Sequence, residues 1–219
     1  MQKTAVCAAA LAVALSAGCN RSHTTADNSA SVGTAGRSAS AMSSGDLDLV
    51  RDVARLNTAD LELGRLASDR GGADVKQFAQ MMVRDHTDAG AKLQQFASQR
   101  AIDVPAELDS PDRELRDRLS SKQGLEFDRE YSDAMVDAHQ KLVVKLASRV
   151  DKDTLTKTTV EKDHAPDASI KATTAVAEKS DDPNTMAVNE WAAQLYPVAY
   201  AHLEAAKALR DGVRKRSTN

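Results

Sequence analysis

Apolar residues recur at spacings of three and four along four long segments of this chain, and this period constrains its fold more than any other feature. The pattern predicts helices over about 46–70, 73–100, 125–150 and 183–216. A short helix is expected from Ser110, where a capping residue, a proline and an acidic turn follow one another. Only 3% of the 219 residues are aromatic, which disfavours an all-β fold. The sequence therefore predicts an all-α, antiparallel four-helix bundle.

The amino terminus predicts export. Residues 1–18 combine Lys3 with an apolar stretch too short to span a bilayer, as in a secretory signal peptide. The stretch ends in Leu-Ser-Ala-Gly before Cys19, which resembles a bacterial lipobox and makes Cys19 the predicted lipidation site. Cleavage at an ordinary Ala-x-Ala-like site is the alternative. No other cysteine follows the signal, so no disulfide is expected.

Residues 19–45 are rich in Ser, Ala, Thr, Gly and Asn and show no apolar period, which predicts a disordered, flexible tether. We expect a domain over 46–216 that is held in the bacterial periplasm by its N-terminal lipid. Asn20 after the cysteine favours the outer membrane over the inner one. If the lipobox is not used, the protein is secreted into the periplasm without an anchor. A formal net charge of −3 argues against nucleic acid as a partner, and a protein or envelope partner stays unidentified.

The segment 151–181 interrupts the helical period before the last helix and is treated as an insertion. Two runs that contain Thr and Val, 156–160 and 170–176, predict a small hairpin. An extended third helix followed by a disordered loop is the alternative.

Two of the helical segments look like copies of each other. The segments 78–86 and 131–139 share an aromatic first residue, Met-Val at the same offset and a final histidine. A pseudo-symmetric bundle would bring His86 and His139 to one level.

Several short motifs occur in a specific order along the chain: 59–64 (ADLELG), 75–79 (VKQFA), 82–86 (MVRDH), Phe127-Asp128 with Tyr131 and His139, and Tyr196-Pro197 with His202-Leu203. Through these motifs the chain resembles the ferritin-like bacterial exported proteins grouped as domain of unknown function 4142. The resemblance spans about 46–209 apart from the insertion. It implies a ferritin-like four-helix bundle in an exported protein, and it brings no activity with it.

Three histidines and one aspartate lie on the apolar stripes of the four helices. His86, His139, His202 and Asp60 form a candidate site for one Zn, Fe or Mn ion. Asp85 or Asp128 would accept a hydrogen bond from an imidazole and orient it. The alternative is a core without metal, in which neighbouring helices satisfy each histidine, for example His86 with Asp60.

The di-iron pattern of ferritin-like enzymes is missing from the sequence. That pattern needs a glutamate three residues before the histidine, where this chain has Val83, Val136 and Ala199. Glu62 is expected on the flank of its helix. Neither a nucleophile motif nor a glycine-rich phosphate loop occurs, so no catalytic residue is assigned. The sequence favours binding of a metal ion or an envelope partner over catalysis. The alternative is an enzyme or stress-protective metalloprotein that uses one metal ion at the same four residues.

Overall fold

A computed structural model describes residues 41–155 and 175–218 of the chain. Its helices are α1 (Ser44–Arg70), α2 (Ala73–Ser98), α3 (Ser110–Ser120), α4 (Gly124–Ala147), α5 (Lys152–Leu155) and α6 (Pro183–Arg216). Every regular element among the described residues is α-helical, which confirms the all-α prediction. The predicted signal peptide, Cys19 and the tether up to residue 40 lie outside the described residues.

The ends of α1 and α6 follow from side-chain caps. Ser43 accepts a hydrogen bond from the backbone N–H of Asp46 at 3.1 Å, so α1 begins two residues before the predicted boundary. Asp182 caps α6 in the same way, accepting from the N–H groups of Asn184 and Thr185, each at 2.9 Å. These bonds satisfy donors that a helix cannot satisfy within its first turn.

The short helix α3 has a different cap from the expected one. Asp109, and not Ser110, accepts the hydrogen bond from the N–H of Asp112, at 3.0 Å. Gly124 separates α3 from α4 with a φ of +56°, in the left-handed region that only glycine adopts without strain.

Each long helix packs antiparallel to its main partner. α1 packs mainly against α2 and α4 mainly against α6, and further contacts join α1 to α4 and α2 to α6. Between α4 and α6, Asp133 pairs with Arg214 while Arg149 reaches Asn189, so residue numbers rise along one helix as they fall along the other. The short loop between α1 and α2 likewise joins an antiparallel pair, as predicted.

In contrast, α2 and α4 run parallel to each other. The rings of Phe78 and Tyr131 lie 6.3 Å apart and those of His86 and His139 lie 5.7 Å apart. Both pairs join residues at the same offset along the chain, which is the offset of the internal repeat. The prediction that the two histidines lie at one level is confirmed.

The space between these helices is filled by large apolar side chains, among which Met82, Phe127, Tyr131, Met135 and Leu146 have no solvent exposure. The methionines therefore act as core residues. No helix in the described part of the chain is long and apolar enough to cross a membrane.

The insertion begins with α5 and a single antiparallel bridge between Val150 and Ala177. Two backbone hydrogen bonds support this bridge, from Asp151 N–H to Val176 at 2.8 Å and from Glu178 N–H to Arg149 at 2.9 Å. The bridge brings the two ends of the insertion together after α4. Residues 156–174, which hold most of the predicted hairpin, lie outside the described residues.

Candidate metal centre

Three imidazoles converge in the middle of the helical core. His86 comes from α2, His139 from α4 and His202 from α6, and their ring centroids lie 5.4–5.7 Å apart. One ring nitrogen of each histidine lies within 4.8 Å of those of the other two. All three side chains are buried. The structure therefore brings together the three histidines that the sequence placed on separate helical stripes.

Asp60 of α1 adds a carboxylate beside two of the three rings. Its Oδ2 lies 3.5 Å from Nε2 of His86 and 3.8 Å from Nε2 of His139, and the side chain is only 2% exposed. Two ligands of a tetrahedral ion, each about 2.1 Å from the metal, lie about 3.4 Å apart. The Asp60 distances are close to this separation. Glu62, by contrast, is 37% exposed and faces Arg116, as its position on the helix flank predicted.

Hydrogen bonds fix which nitrogen of His86 and His139 carries the proton. Nδ1 of His139 lies 2.9 Å from the carbonyl oxygen of Met135, and Nδ1 of His86 lies 3.1 Å from Oδ1 of Asn57. Both oxygens are acceptors, so each Nδ1 donates, and Nε2 of the neutral ring keeps its lone pair. Both Nε2 atoms are buried without a hydrogen-bond partner. The two rings are thus in the tautomer that binds a metal through Nε2.

His202 is oriented by a carboxylate. Its Nε2 lies 3.1 Å from Oδ2 of Asp85, so Nε2–H donates and Nδ1 holds the lone pair. This hydrogen bond is the main reason why the pKa of Asp85 is lowered. Asp85 had been expected to orient a histidine because it adjoins His86; the structure pairs it with His202 on the facing helix instead.

Burial sets the charges of the centre. The pKa of His86 is well below its usual range and that of His202 is also lowered, first because burial disfavours the imidazolium and then because the rings lie close together. Burial also raises the pKa of Asp60 to about 6; a positive charge on His139 opposes this increase, and the charge of Asp112 on α3 adds to it. At neutral pH the centre therefore presents the neutral rings of His86 and His202 and a carboxylate that is mostly ionised, a combination that attracts a cation.

The structure does not bring Asp128 to this centre. Its Oδ1 accepts a hydrogen bond from the N–H of Gly72 at 2.9 Å, and its Oδ2 lies 3.4 Å from Arg216. Asp128 precedes His139 by eleven residues on α4, about 16 Å along the helix axis. Its carboxylate helps to hold the loop between α1 and α2 against the end of α6.

Two residues of the centre were not predicted from the sequence. Asn57, which holds His86, lies one turn before Asp60 on α1, and this spacing was the signal that could have found it. A Cβ at Gly90 would come within 2.9 Å of the Asn57 amide, so glycine leaves room for that side chain. The second residue is Tyr131, whose buried hydroxyl has no hydrogen-bond partner; burial and the charge of Asp60 raise its pKa.

A family model described as "Domain of unknown function (DUF4142)" matches residues 32–157, more than half of the chain. The chain belongs to the DUF4142 family. The DUF4142 match includes Asp60, His86 and His139 and ends before α6, so His202 lies outside it, as does the part of the expected resemblance between residue 157 and Leu209. Searches of curated proteins and of solved structures gave no match.

Proposed function

We propose that this DUF4142 protein binds one Zn, Fe or Mn ion through His86, His139, His202 and Asp60, and that it acts by binding and not by catalysis. One observation carries the proposal. Two buried Nε2 atoms, each locked by its Nδ1 hydrogen bond into the tautomer with a free lone pair, face a buried carboxylate from a third helix. In neutral rings these two nitrogens are acceptors, as is the carboxylate of Asp60 that faces them, and a cation between them would interact favourably with all three groups.

The energy of the metal-free arrangement argues against a purely structural role for these residues. A buried polar atom without a partner costs about 1–3 kcal/mol, and the centre holds two such nitrogen atoms. If Asp60 were protonated, it could donate its one proton to only one of the two nitrogens. Apolar side chains of similar size would avoid the cost altogether, so a core selected only for stability has no reason to keep four polar residues here.

The donor set suits a single ion. Three imidazoles and one carboxylate close a tetrahedral shell around Zn, or leave positions open on Fe or Mn. A second ion would need bridging carboxylates, but Val83 and Val136 occupy the positions that the di-iron pattern gives to glutamate. We therefore do not propose di-iron chemistry.

An enzyme or stress-protective metalloprotein that uses the same ion is the second candidate function. Tyr131 favours it, because its buried hydroxyl lacks a partner and its pKa responds to the charge of Asp60. A small molecule bound beside the ion would find a hydrogen-bond donor there. This candidate makes the same prediction for metal content and adds a role for Tyr131.

We further propose that α1, α2, α4 and α6 form a ferritin-like four-helix bundle that a lipid on Cys19 tethers in the periplasm, at the outer membrane. The antiparallel contacts among these helices and the family resemblance support the bundle. The lipobox-like sequence before Cys19 and the Ser/Ala-rich segment after it support the tether. The free periplasmic form stays the alternative if the lipobox is not used.

Metal content tests the proposal. The full chain, purified without chelator or histidine tag, should contain about one equivalent of Zn, Fe or Mn by elemental mass spectrometry. The His139→Ala variant should lose it while its circular dichroism stays helical. His164→Ala removes a histidine outside the proposed ligand set and should keep the ion. If the wild-type chain stays empty after reconstitution with each of the three metals, the histidines only pack and the proposal is wrong.

A further inference from the structure

The candidate metal centre is closed to solvent on most sides. His202 is 3% exposed and Asp60 is 2% exposed, whereas the side chain of Asp85, in direct contact with His202, is 31% exposed. Asn57 contacts the ring of His86 and is also partly exposed, but it carries no charge. Among the described residues with a polar contact to these three rings, Asp85 is thus the charged side chain that water reaches.

Asp85 links two of the helices that carry the proposed ligands. It directly precedes His86 on α2, and its carboxylate crosses to α6 to accept the hydrogen bond from Nε2 of His202 at 3.1 Å. The opposite ring nitrogen of His202 is the one left with a lone pair. Rotation of this ring away from Asp85 would place an imidazole nitrogen between the surface and the buried ligands.

We propose that Asp85 is the entry point of the metal ion: its carboxylate captures the hydrated cation at the protein surface and passes it by way of His202 to His86, His139 and Asp60. This inference rests on the metal-binding function proposed above. It adds a route to that function, and it gives Asp85 a kinetic role beyond orienting His202.

The negative charge of Asp85 at the protein surface favours ion uptake by this route. The attraction between one carboxylate and a divalent cation about 5 Å away in water raises the local cation concentration about fivefold after screening by salt. The positive charge of Arg84 opposes this attraction, since Nε of Arg84 lies 3.7 Å from Oδ1 of Asp85 and the Arg84 side chain is exposed. The rate of ion uptake should therefore fall when Asp85 is neutralised and rise when Arg84 is.

The experiment measures association and dissociation separately. The full-length chain is stripped of metal with a chelator, and Co²⁺ uptake is followed by stopped-flow absorbance, with release measured by chelator competition. Asp85→Asn keeps an oxygen that can accept the His202 hydrogen bond but removes the charge. Asp88→Asn is the matched control, because it makes the same change at an exposed position three residues further along α2.

We expect Asp85→Asn to slow association about fivefold and to weaken its dependence on salt, with Asp88→Asn close to wild type. Arg84→Gln should speed association two- to threefold, and it decides the question if Asp85→Asn fails to fold. Unchanged association with faster release would mean that Asp85 only orients His202, and would overturn the entry route while leaving the metal site intact. If the wild-type chain takes up no Co²⁺ at equilibrium, the proposed function itself fails.

Discussion

Replacing Asp60 by asparagine should have opposite effects on the metal-free and the metal-loaded protein. Asp60 is buried beside two imidazoles whose facing nitrogens cannot donate a proton to it while the rings are neutral. Without a cation, its ionised form is therefore a source of instability. Asp60→Asn removes the charge and brings N–H groups that can donate to the Nε2 atoms of His86 and His139.

The pKa of Asp60 gives the magnitude. Burial raises it from 3.8 to about 6, and each unit of pKa difference between the folded and unfolded states corresponds to about 1.4 kcal/mol. Since the folded-state pKa is the higher one, the unfolded chain releases its proton first as pH rises. The metal-free protein should thus lose about 3 kcal/mol of folding free energy from this group between about pH 4 and pH 6, and no more above that range.

Urea denaturation of the metal-free wild type and of Asp60→Asn, across pH 4 to 7.5, measures this term. His86 and His202 have lowered pKa values, so they make the folded state more stable as pH rises to about 6.5 and oppose the contribution of Asp60. Both proteins contain these histidines, so the difference between the two proteins reports Asp60 together with its charge interaction with His139. We expect the variant to gain about 3 kcal/mol relative to wild type from pH 4 to pH 7.

Glu62→Gln is the matched control, because it makes the same chemical change two residues along α1 at an exposed position and should shift stability by less than about 0.5 kcal/mol. Metal should make the wild type more stable than Asp60→Asn. At a thousandfold excess over its dissociation constant, an ion stabilises the wild type by about 4 kcal/mol, and it should not stabilise the variant comparably. A stability difference that does not change with pH would refute the idea that burial destabilises the ionised carboxylate of Asp60.

Two other predictions concern the ends of the domain. Asp46 is fully buried and forms an ion pair with Arg149 and a 2.7 Å hydrogen bond with Thr185. Asp46→Ala should therefore lower the free energy of unfolding by about 3 kcal/mol, measured by urea denaturation at pH 7. The control Asp48→Ala changes an exposed residue and should be nearly neutral, and equal losses in the two variants would contradict the expectation. Cys19→Ala should release the protein from the membrane fraction during cell fractionation, and unchanged membrane association would refute lipidation at that residue.

The helices were predictable because each follows from local signals. Periodicity placed the apolar stripes, and the glycines, prolines and caps placed the ends to within a few residues, as at Gly71 and Pro183. The insertion was harder, since a single bridge between Val150 and Ala177 depends on two segments far apart in sequence. No local pattern distinguishes such a bridge from a loop.

The candidate site was predictable at the level of helical faces but not of hydrogen bonds. Register along antiparallel helices was enough to bring Asp60 and His86 together, because a helix rises only about 1.5 Å per residue. Which helix Asp85 would face depends on rotation about the α2 axis by a fraction of a turn, and the sequence leaves this rotation open. The expectation that Asp128 orients a histidine was wrong for another reason. A carboxylate can accept a hydrogen bond from an imidazole, but Asp128 lies three helical turns away from His139 on α4.

The arrangement of the helices explains why a single ion would lie in the middle of the proposed bundle. α2 and α4 run parallel and present His86 and His139 at equivalent positions of the internal repeat. α1 and α6 are also parallel, since Asp46 near the start of one contacts Thr185 near the start of the other. A pseudo-two-fold axis between these pairs would make Asp60 the counterpart of His202.

Such an axis would not relate identical ligands at the pair Asp60 and His202. A symmetric centre would hold two carboxylates or two more imidazoles there, whereas this chain provides one of each. An ion on the axis would receive three neutral donors and a single charge, leaving a divalent metal with a net charge of +1 in a buried site. The carboxylate of Asp85, bonded to His202 on the far side of that ring, is placed to balance this remaining charge. The same side chain would thus serve the ion during entry and after binding, and only the separate measurement of association and release distinguishes the two contributions.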